Sequence, residues 1–552
     1  MAEFSYKKEL IDNFVSKFTT RIVSETGILS DKYHLGKIIL QCLKDDPEFV
    51  MQIDGGTGES ETNGSMLKRS IQCTTYFKNL GLKTGDVIVL MAPNHLDQAV
   101  PFYAALYLGI ATAAIDRTLG VNELKDAFNI SKPKIIFCQS EKVQDVQKAV
   151  AILGLDSKII SFGSSPDTIS FSEMMQNHSG QVDIGNFKPV DFDPEETIAY
   201  LISTSGTTGL PKCATLTHKN MAANGSFVCA FPKKLPAIRS VLLVSSLQWL
   251  SVLVNYLRSP LYNYTRIQSS HTLTTDHILE LITKYRPTFM TLSPSLMTIL
   301  LNGAKQFNCD LSCYEVIYIA GSAVPISLIE ELKIMAPNAI VKDVYGMSEL
   351  GSTVFHSVDS PLGSCGKPFA HLQYKLVNED TGEEIKEPHK HGELWVKTVG
   401  GFKGYYNNPE ATAEVLSKDG WYMTGDLMYR DEDWNFYFVD RIKLMLKYRY
   451  RKISPVELEG VIRQHPGVLD VAVTSLPDAE CGDLPVACVI LHPGAHVTED
   501  EIKDLVKERL TDSKHLMGGV IFLKELPLTT SSKVHRRKLK EIAIAKMREL
   551  AI

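Results

Sequence analysis

Val87-Ile88-Val89-Leu90-Met91 is an unbroken apolar run with no polar alternation, cut off by Pro93-Asn94. A strand with this pattern belongs in a sheet covered on both faces, which is the habit of parallel sheets. Ile135-Ile136-Phe137-Cys138, Ile198-Ala199-Tyr200-Leu201-Ile202, Thr288-Phe289-Met290-Thr291-Leu292 and Val316-Ile317-Tyr318-Ile319 repeat it, and a helical pattern through Ala99, Phe102, Tyr103, Leu106 and Leu108 follows the first. Such alternation predicts an α/β fold, with ligands bound beyond the carboxyl ends of the strands. At 552 residues the chain exceeds the roughly 250–300 residues that one core serves, so at least two domains are expected.

The segment after Asp440 reads differently. Ser454-Pro455-Val456-Glu457 predicts a helix start, with Ser as N-cap, Pro at the first helical position and Glu closing a capping box. Thr498-Glu499-Asp500-Glu501 predicts another, and Val471-Ala472-Val473 and Val486 to Leu491 read as strands. The expectation is a large N-terminal domain of parallel and mixed sheets covered by helices, residues 1–440, and a small mobile α+β domain, residues 441–552.

A net charge of −6 is small for this length and argues against a nucleic-acid or anionic-membrane partner. No uncharged apolar stretch reaches the about 18–20 residues of a membrane span. The ten cysteines are scattered without a zinc-site spacing. The N-terminus mixes acids and bases, and Glu549-Leu550-Ala551-Ile552 is no Ser-Lys-Leu-type address. A cytoplasmic enzyme, monomeric or weakly oligomeric, is expected.

Ser203-Thr204-Ser205-Gly206-Thr207-Thr208-Gly209-Leu210-Pro211-Lys212 directly follows an apolar strand. Glycines bring backbone N–H groups close to an anion, hydroxyls add donors and Lys212 adds charge, a combination suited to pyrophosphate. The spacing is not that of a Walker A loop. This loop resembles the phosphate motif of the adenylate-forming superfamily, which holds acyl-CoA synthetases, 4-coumarate–CoA ligases, beetle luciferases and peptide-synthetase adenylation domains. Val344-Tyr345-Gly346-Met347-Ser348-Glu349, Gly420-Trp421-Tyr422-Met423-Thr424-Gly425-Asp426, Val439-Asp440-Arg441-Ile442-Lys443, Pro455-Val456-Glu457-Leu458-Glu459 and Pro527 through Lys533 resemble its further motifs, in the same order. Gly404-Tyr405-Tyr406-Asn407-Asn408-Pro409-Glu410-Ala411-Thr412 is most similar to the ligase and luciferase branch.

The resemblance implies attack of a carboxylate on the α-phosphate of ATP, with pyrophosphate leaving. It assigns Ser203, Thr204, Ser205, Gly206, Thr207, Thr208, Gly209 and Lys212 to the β- and γ-phosphates, Ser348 to the α-phosphate and Glu349 to Mg²⁺. Tyr345 would stack on adenine, lined by Gly321, Ser322 and Ala323; Asp426 would accept the ribose hydroxyls, and Arg441 would add a ribose or phosphate contact. Lys533 would bridge the acid and the α-phosphate. Rotation about a hinge near Lys443 would then bring Lys447 to the site, with a tunnel for the pantetheine arm of CoA. The acid is expected against Asn224, Phe227, Gln248, Trp249, Leu250, Leu253, Ala320, Gly346 and Met347. With no evident fixed cation in that lining, a medium- or long-chain fatty acid or an aryl acid is expected.

The chain departs from the family pattern in several places. Cys213 and Ser532 stand where relatives have Gly, and Ser348 where they have Thr. Ser245-Ser246-Leu247-Gln248-Trp249-Leu250 lacks the His many relatives carry near the acyl pocket, and Gln248 cannot change charge. Tyr450 replaces a Gly three residues after Lys447. Either Tyr450 swings aside and CoA ligation survives, or it narrows the tunnel and the adenylate is poorly transferred. Three functions stay open: a CoA ligase, a luciferase-like monooxygenase that hands the adenylate to O₂ with emission of light, and a nucleotide-binding protein with degenerate ligase activity. Intact Glu349, Asp426, Arg441 and Lys533 argue against the third.

Overall fold

The computed structural model describes residues 34–177, 183–204, 212–225, 238–356, 360–369, 372–398, 401–449, 451–478, 480–529 and 533–550. Every apolar run named above lies in a strand: Val87–Met91, Ile135–Cys138, Ile198–Thr204, Phe289–Leu292 and Val316–Ala320. They fall into two seven-stranded sheets. The first runs Ile169–Ser170, Lys158–Ser161, Ile135–Cys138, Val87–Met91, Ala111–Ala114, Ile198–Thr204, Lys212–Thr217; the second runs Ile340–Val344, Val316–Ala320, Phe289–Leu292, Ser240–Leu242, Thr265–Gln268, Val50–Asp54, Ser60–Thr62. Both are parallel except at one edge, where Lys212–Thr217 and Ser60–Thr62 run antiparallel to their neighbours.

The period-two alternation of side chains explains why both faces had to be apolar. Ile88 and Leu90 point into a core shared by the two sheets and by the helices Leu35–Asp45, Asn63–Asn79, Ala99–Leu108 and Leu250–Tyr262. Val87, Val89 and Met91 point the other way, onto the helices Val121–Ser131 and Val143–Leu153. All ten residues of Ala99–Leu108 are buried, so this helix sits inside the double layer.

A third sheet was not legible in the sequence. It is antiparallel, in the order Glu384–Ile385, Leu372–Val377, Gly392–Thr398, Tyr422–Arg430, Phe436–Arg441. Its strand Gly392–Thr398 buries Gly392, Leu394 and Val396 and leaves Glu393, Trp395 and Lys397 half-buried on the other face. Half-wet strands of this kind lack the continuous apolar run that marks the other two sheets.

The C-terminal unit is a smaller sheet, Arg451–Ile453, Leu446–Tyr448, Gly482–Leu491, Val468–Asp478, with Gly519–Phe522 added parallel to Gly482–Leu491. Its helices include Pro455–Ile462, Glu499–Arg509 and Arg536–Leu550. The Thr498 capping box forms in full. The Ser454 one forms by half: Ser454 Oγ accepts from Glu457 N at 3.2 Å, but the Glu457 carboxylate pairs with Lys514 at 2.6 Å. A full cation attracts the carboxylate more strongly than one backbone N–H does. Ser454 Oγ instead donates to the buried Asp440 carboxylate at 2.5 Å, which also accepts from Val456 N at 3.2 Å. Asp440 thereby fastens the last strand of the third sheet to the first helix of the C-terminal unit.

Ser454→Ala removes an N-cap and one donor to a buried carboxylate, each worth on the order of 1–2 kcal/mol. Urea unfolding is expected to show a loss of about 2–3 kcal/mol confined to the transition of the C-terminal unit.

Candidate active site

The three sheets and the C-terminal unit converge at the carboxyl ends of the parallel strands. Val316–Ala320 ends at Gly321, and Ile340–Val344 ends at Tyr345. Asp426 and Arg441 are cross-strand partners in the third sheet, and that register sets Arg441 Nε 2.8 Å from Asp426 Oδ1. The contact is an ion pair without hydrogen-bond alignment, since Asp426 Oδ1 accepts no hydrogen bond. Asp426 Oδ2 accepts from the Tyr345 hydroxyl at 2.5 Å. Asp426 is 2% exposed. Burial raises its pKa, and Arg441, Tyr345 and Lys533 oppose the rise.

Lys533 enters from the C-terminal unit. Thr529 N donates to Lys533 O at 2.7 Å and Lys533 N to Thr529 Oγ1 at 3.2 Å, so the two residues hold each other. Its Cε lies 3.4 Å from where a side chain on Gly321 would begin. The residue keeps exposed surface, yet desolvation of its ammonium and the Arg441 cation lower its pKa, while Glu349 and Asp426 hold it up. Arg441 shifts the other way, raised first by Asp426. Two cations and two carboxylates thus act on one another here, and of the four Lys533 also lines a cavity.

That cavity has a volume of about 930 Å³. Lys533, Gly321, Ala320, Ser348, Gly346 and Met347 line one part, with Gln248, Trp249 and Leu250 along a wall. Gln248 Nε2 donates to Asp116 Oδ2 at a long 3.5 Å. Gly321 has φ +103°, a conformation strained for any residue with a side chain.

Glu349 Oε1 accepts from the Tyr405 hydroxyl at 3.0 Å. The Lys212 ammonium lies 5.4 Å from the Tyr405 ring centroid and 3.7 Å from Glu414. Thr204 and Lys212 are paired across the hairpin whose loop carries the glycines, and Ser203 Oγ contacts Cys213 Sγ at 3.8 Å. Ser205, Gly206, Thr207, Thr208 and Gly209 lie outside the described residues, as do Phe227, Tyr450, Ser532 and the side chain of Asn224.

Two expectations for the acid pocket, Leu253 and a lining without a fixed cation, need correction. Leu253 is 1% exposed in the double-layer core and does not line the cavity; its neighbour Val254 does. One residue turns a helix by about 100°, so the phase was misread by one position. Ser322 and Ala323, assigned to the adenine and not to the acid, follow Gly321 outside the wall of this cavity, Ser322 being exposed. Lys447 is exposed on the Leu446–Tyr448 strand, its backbone N–H on Asp483, and takes no part in the cluster around Lys533. The wall also carries a fixed cation, Arg258 on the Leu250–Tyr262 helix, where none was anticipated. Tyr405, within the Gly404 to Thr412 segment, joins the site through Glu349 and Lys212.

Gly321→Ala is expected to cost about 1–3 kcal/mol of backbone strain. Thermal unfolding checks the stability loss, and nucleotide titration checks an accompanying loss of affinity.

Similarity to known proteins agrees with this geometry. The family profile described as AMP-binding enzyme matches residues 41–406, and that of the AMP-binding enzyme C-terminal domain matches residues 457–533. The luciferin 4-monooxygenase of Photuris pensylvanica is 32% identical over 499 residues, covering 88% of this chain and 90% of the relative. A 4-coumarate–CoA ligase of Arabidopsis thaliana is 28% identical over 520 residues, covering 88% and 87%. The crystal structure of an anthranilate–CoA ligase in complex with anthranoyl-AMP superposes with a TM-score of 0.84 at 21% identity, covering 94% of this chain and 99% of that one, a likeness of fold.

Proposed function

This chain belongs to the AMP-binding enzyme family, and from that premise we propose that it activates an apolar-bodied carboxylic acid with ATP as the acyl-adenylate and passes the acyl group to CoA. One observation carries the reading: a cavity large enough for such an acid ends at Lys533, Gly321 and Ser348, beside the Asp426–Arg441 pair.

In the first step a carboxylate oxygen bonds to the α-phosphorus and the bond to pyrophosphate breaks. The protein's part is positioning and charge neutralisation. Lys533, near Glu349 and Asp426, would bridge the incoming carboxylate and the α-phosphate, and the Ser348 hydroxyl would donate to that phosphate. The segment from Ser203 to Lys212 would hold the leaving pyrophosphate. Asp426, with one carboxylate oxygen accepting no hydrogen bond, has the acceptor capacity a ribose diol needs; Arg441 opposes the rise that burial causes in its pKa. Tyr345 would meet the base, with Gly321, Ser322 and Ala323 at its edge.

Glu349 is the carboxylate assigned to Mg²⁺. Among the described residues no group of three His, Cys, Asp or Glu side chains forms a metal cage. One carboxylate suits Mg²⁺, which takes few protein ligands and completes its shell with phosphates and water. When bound, the ion would neutralise charge on the phosphates.

For the second step we assign residues 1–440 to an adenylation domain and 441–552 to a lid that turns about Lys443. Lys447, exposed here, would come to the site after the turn. The thiolate of CoA would bond to the acyl carbon and AMP would leave. A second reading, transfer of the adenylate to O₂, is favoured by the similarity to a luciferin 4-monooxygenase.

ATP–pyrophosphate exchange with Mg²⁺ across a panel of fatty and aryl acids tests the first step; CoA, or O₂ with photon counting, tests the second. Exchange and CoA-dependent thioester formation with at least one acid are expected. Exchange with light but no thioester would favour the second reading, and no exchange with any acid would contradict adenylation.

A further inference from the structure

Tyr405 touches two groups that the adenylation reading assigns to different parts of Mg·ATP. Its hydroxyl donates to Glu349 Oε1 at 3.0 Å, and its ring centroid lies 5.4 Å from the Lys212 ammonium, within reach of a cation–π contact. Glu349 is assigned to Mg²⁺ and Lys212 to the β- and γ-phosphates, yet the two come from different sheets. Lys212 opens the edge strand Lys212–Thr217 of the first sheet, and Glu349 follows Ile340–Val344, an edge strand of the second. Tyr405 joins them.

The backbone around Tyr405 is held on both sides. Tyr405 bridges Ala214 antiparallel, Tyr406 N donates to Cys213 O at 2.8 Å, and Gly404 O accepts from Thr215 N at 3.2 Å and from Thr215 Oγ1 at 2.7 Å. The segment thus adds to the very strand that Lys212 opens. On the other side Tyr405 N donates to Thr412 Oγ1 at 2.9 Å. Gly404, at φ +112°, permits this approach, since a side chain there would begin 2.7 Å from Thr412 Cγ2. The Phe402 ring packs on that of Tyr405, centroids 5.2 Å apart, and Tyr405 is buried. Its hydroxyl and ring face are therefore fixed points. A carboxylate can accept on either oxygen. A hydrogen bond to Oε1 selects one orientation of Glu349 and leaves Oε2 as the oxygen for a hard cation. The ring face attracts the Lys212 ammonium, whereas the exposed Glu414 carboxylate, 3.7 Å from it, is a weak tether in solvent.

We propose that Tyr405 is a positioning residue for adenylation: its hydroxyl orients Glu349 toward the Mg²⁺ carried by ATP, and its ring holds Lys212 toward the β- and γ-phosphates. This rests on the adenylation reading and adds to it a residue that touches neither the acid nor the bonds that change. A partner one step behind a metal-binding carboxylate typically carries roughly ten- to hundredfold in metal affinity.

The test is calorimetric titration of the full chain with ATP, without any acid, once with excess Mg²⁺ and once with a chelator. AMP, which lacks both outer phosphates, is the control. In the wild type Mg²⁺ is expected to tighten ATP binding. Tyr405→Phe keeps the ring and loses the hydroxyl. It is expected to lose most of that gain, while its affinities for ATP in chelator and for AMP stay within about twofold of the wild type. Tyr405→Met fills the space without a ring and is expected to weaken ATP several-fold in chelator as well, with AMP again spared. Thermal unfolding verifies that both variants fold. A Mg²⁺ gain unchanged in Tyr405→Phe, ATP affinity in chelator unchanged in Tyr405→Met, or AMP weakened as much as ATP would overturn the proposal while leaving adenylation standing. So would a wild type that binds ATP with no gain from Mg²⁺. A wild type that binds no ATP would overturn adenylation and this proposal together.

Discussion

The Asp426–Arg441 pair is where the architecture and the chemistry meet. Two neighbouring strands of the antiparallel sheet bring a buried carboxylate and a guanidinium into register, 2.8 Å apart. Alone, a carboxylate that is 2% exposed would be driven toward its protonated form by burial. Arg441, the Tyr345 hydroxyl and Lys533 keep it nearer the ionised one. Lys533 in turn is a cation brought from another sheet system; desolvation and the neighbouring arginine lower its pKa, and Glu349 and Asp426 oppose the fall. Groups of the N-terminal domain and one lysine of the C-terminal unit thus act on one another electrostatically at the site.

The remainder of the fold holds that cluster in place. Two parallel sheets share a helical layer, and their strand ends deliver Gly321 and Tyr345. Asp440, adjacent in sequence to Arg441, anchors the first helix of the C-terminal unit through Ser454 and Val456. The residue that pairs with Asp426 and the residue that fastens the C-terminal unit are therefore chain neighbours, and the proposed rotation near the short helical turn Ile442–Leu444 would leave the pair intact while moving Lys533. Such a hinge lets one site run two steps.

How much of this could be read from residues alone follows from physics. Strands buried on both faces announce themselves as unbroken apolar runs, and all those named here lie in strands. The half-wet strands of the third sheet carry charged residues on one face, so they lack the unbroken apolar run and offer only a short alternation as their signal. Lys533, in a tail rich in lysine, was legible only through the Thr529-Thr530-Ser531-Ser532 run before it. The hydroxyl–carboxylate contacts of Tyr345 and Tyr405 depend on residues 81 and 56 positions distant, beyond any local signal. Arg258 looks like the polar face of an amphipathic helix, and only the cavity reveals that this face is turned inward.

The central claim is that Lys533 serves adenylate formation and not the later transfer. Single-turnover kinetics of Lys533→Ala separate the two: one arm follows adenylate formation from ATP and acid, the other follows thioester formation from supplied acyl-adenylate and CoA. The account predicts a loss on the order of 10²–10³-fold in the first arm, the scale of one lost electrostatic contact to the transition state, with the second arm spared. Equal loss in both arms would contradict it.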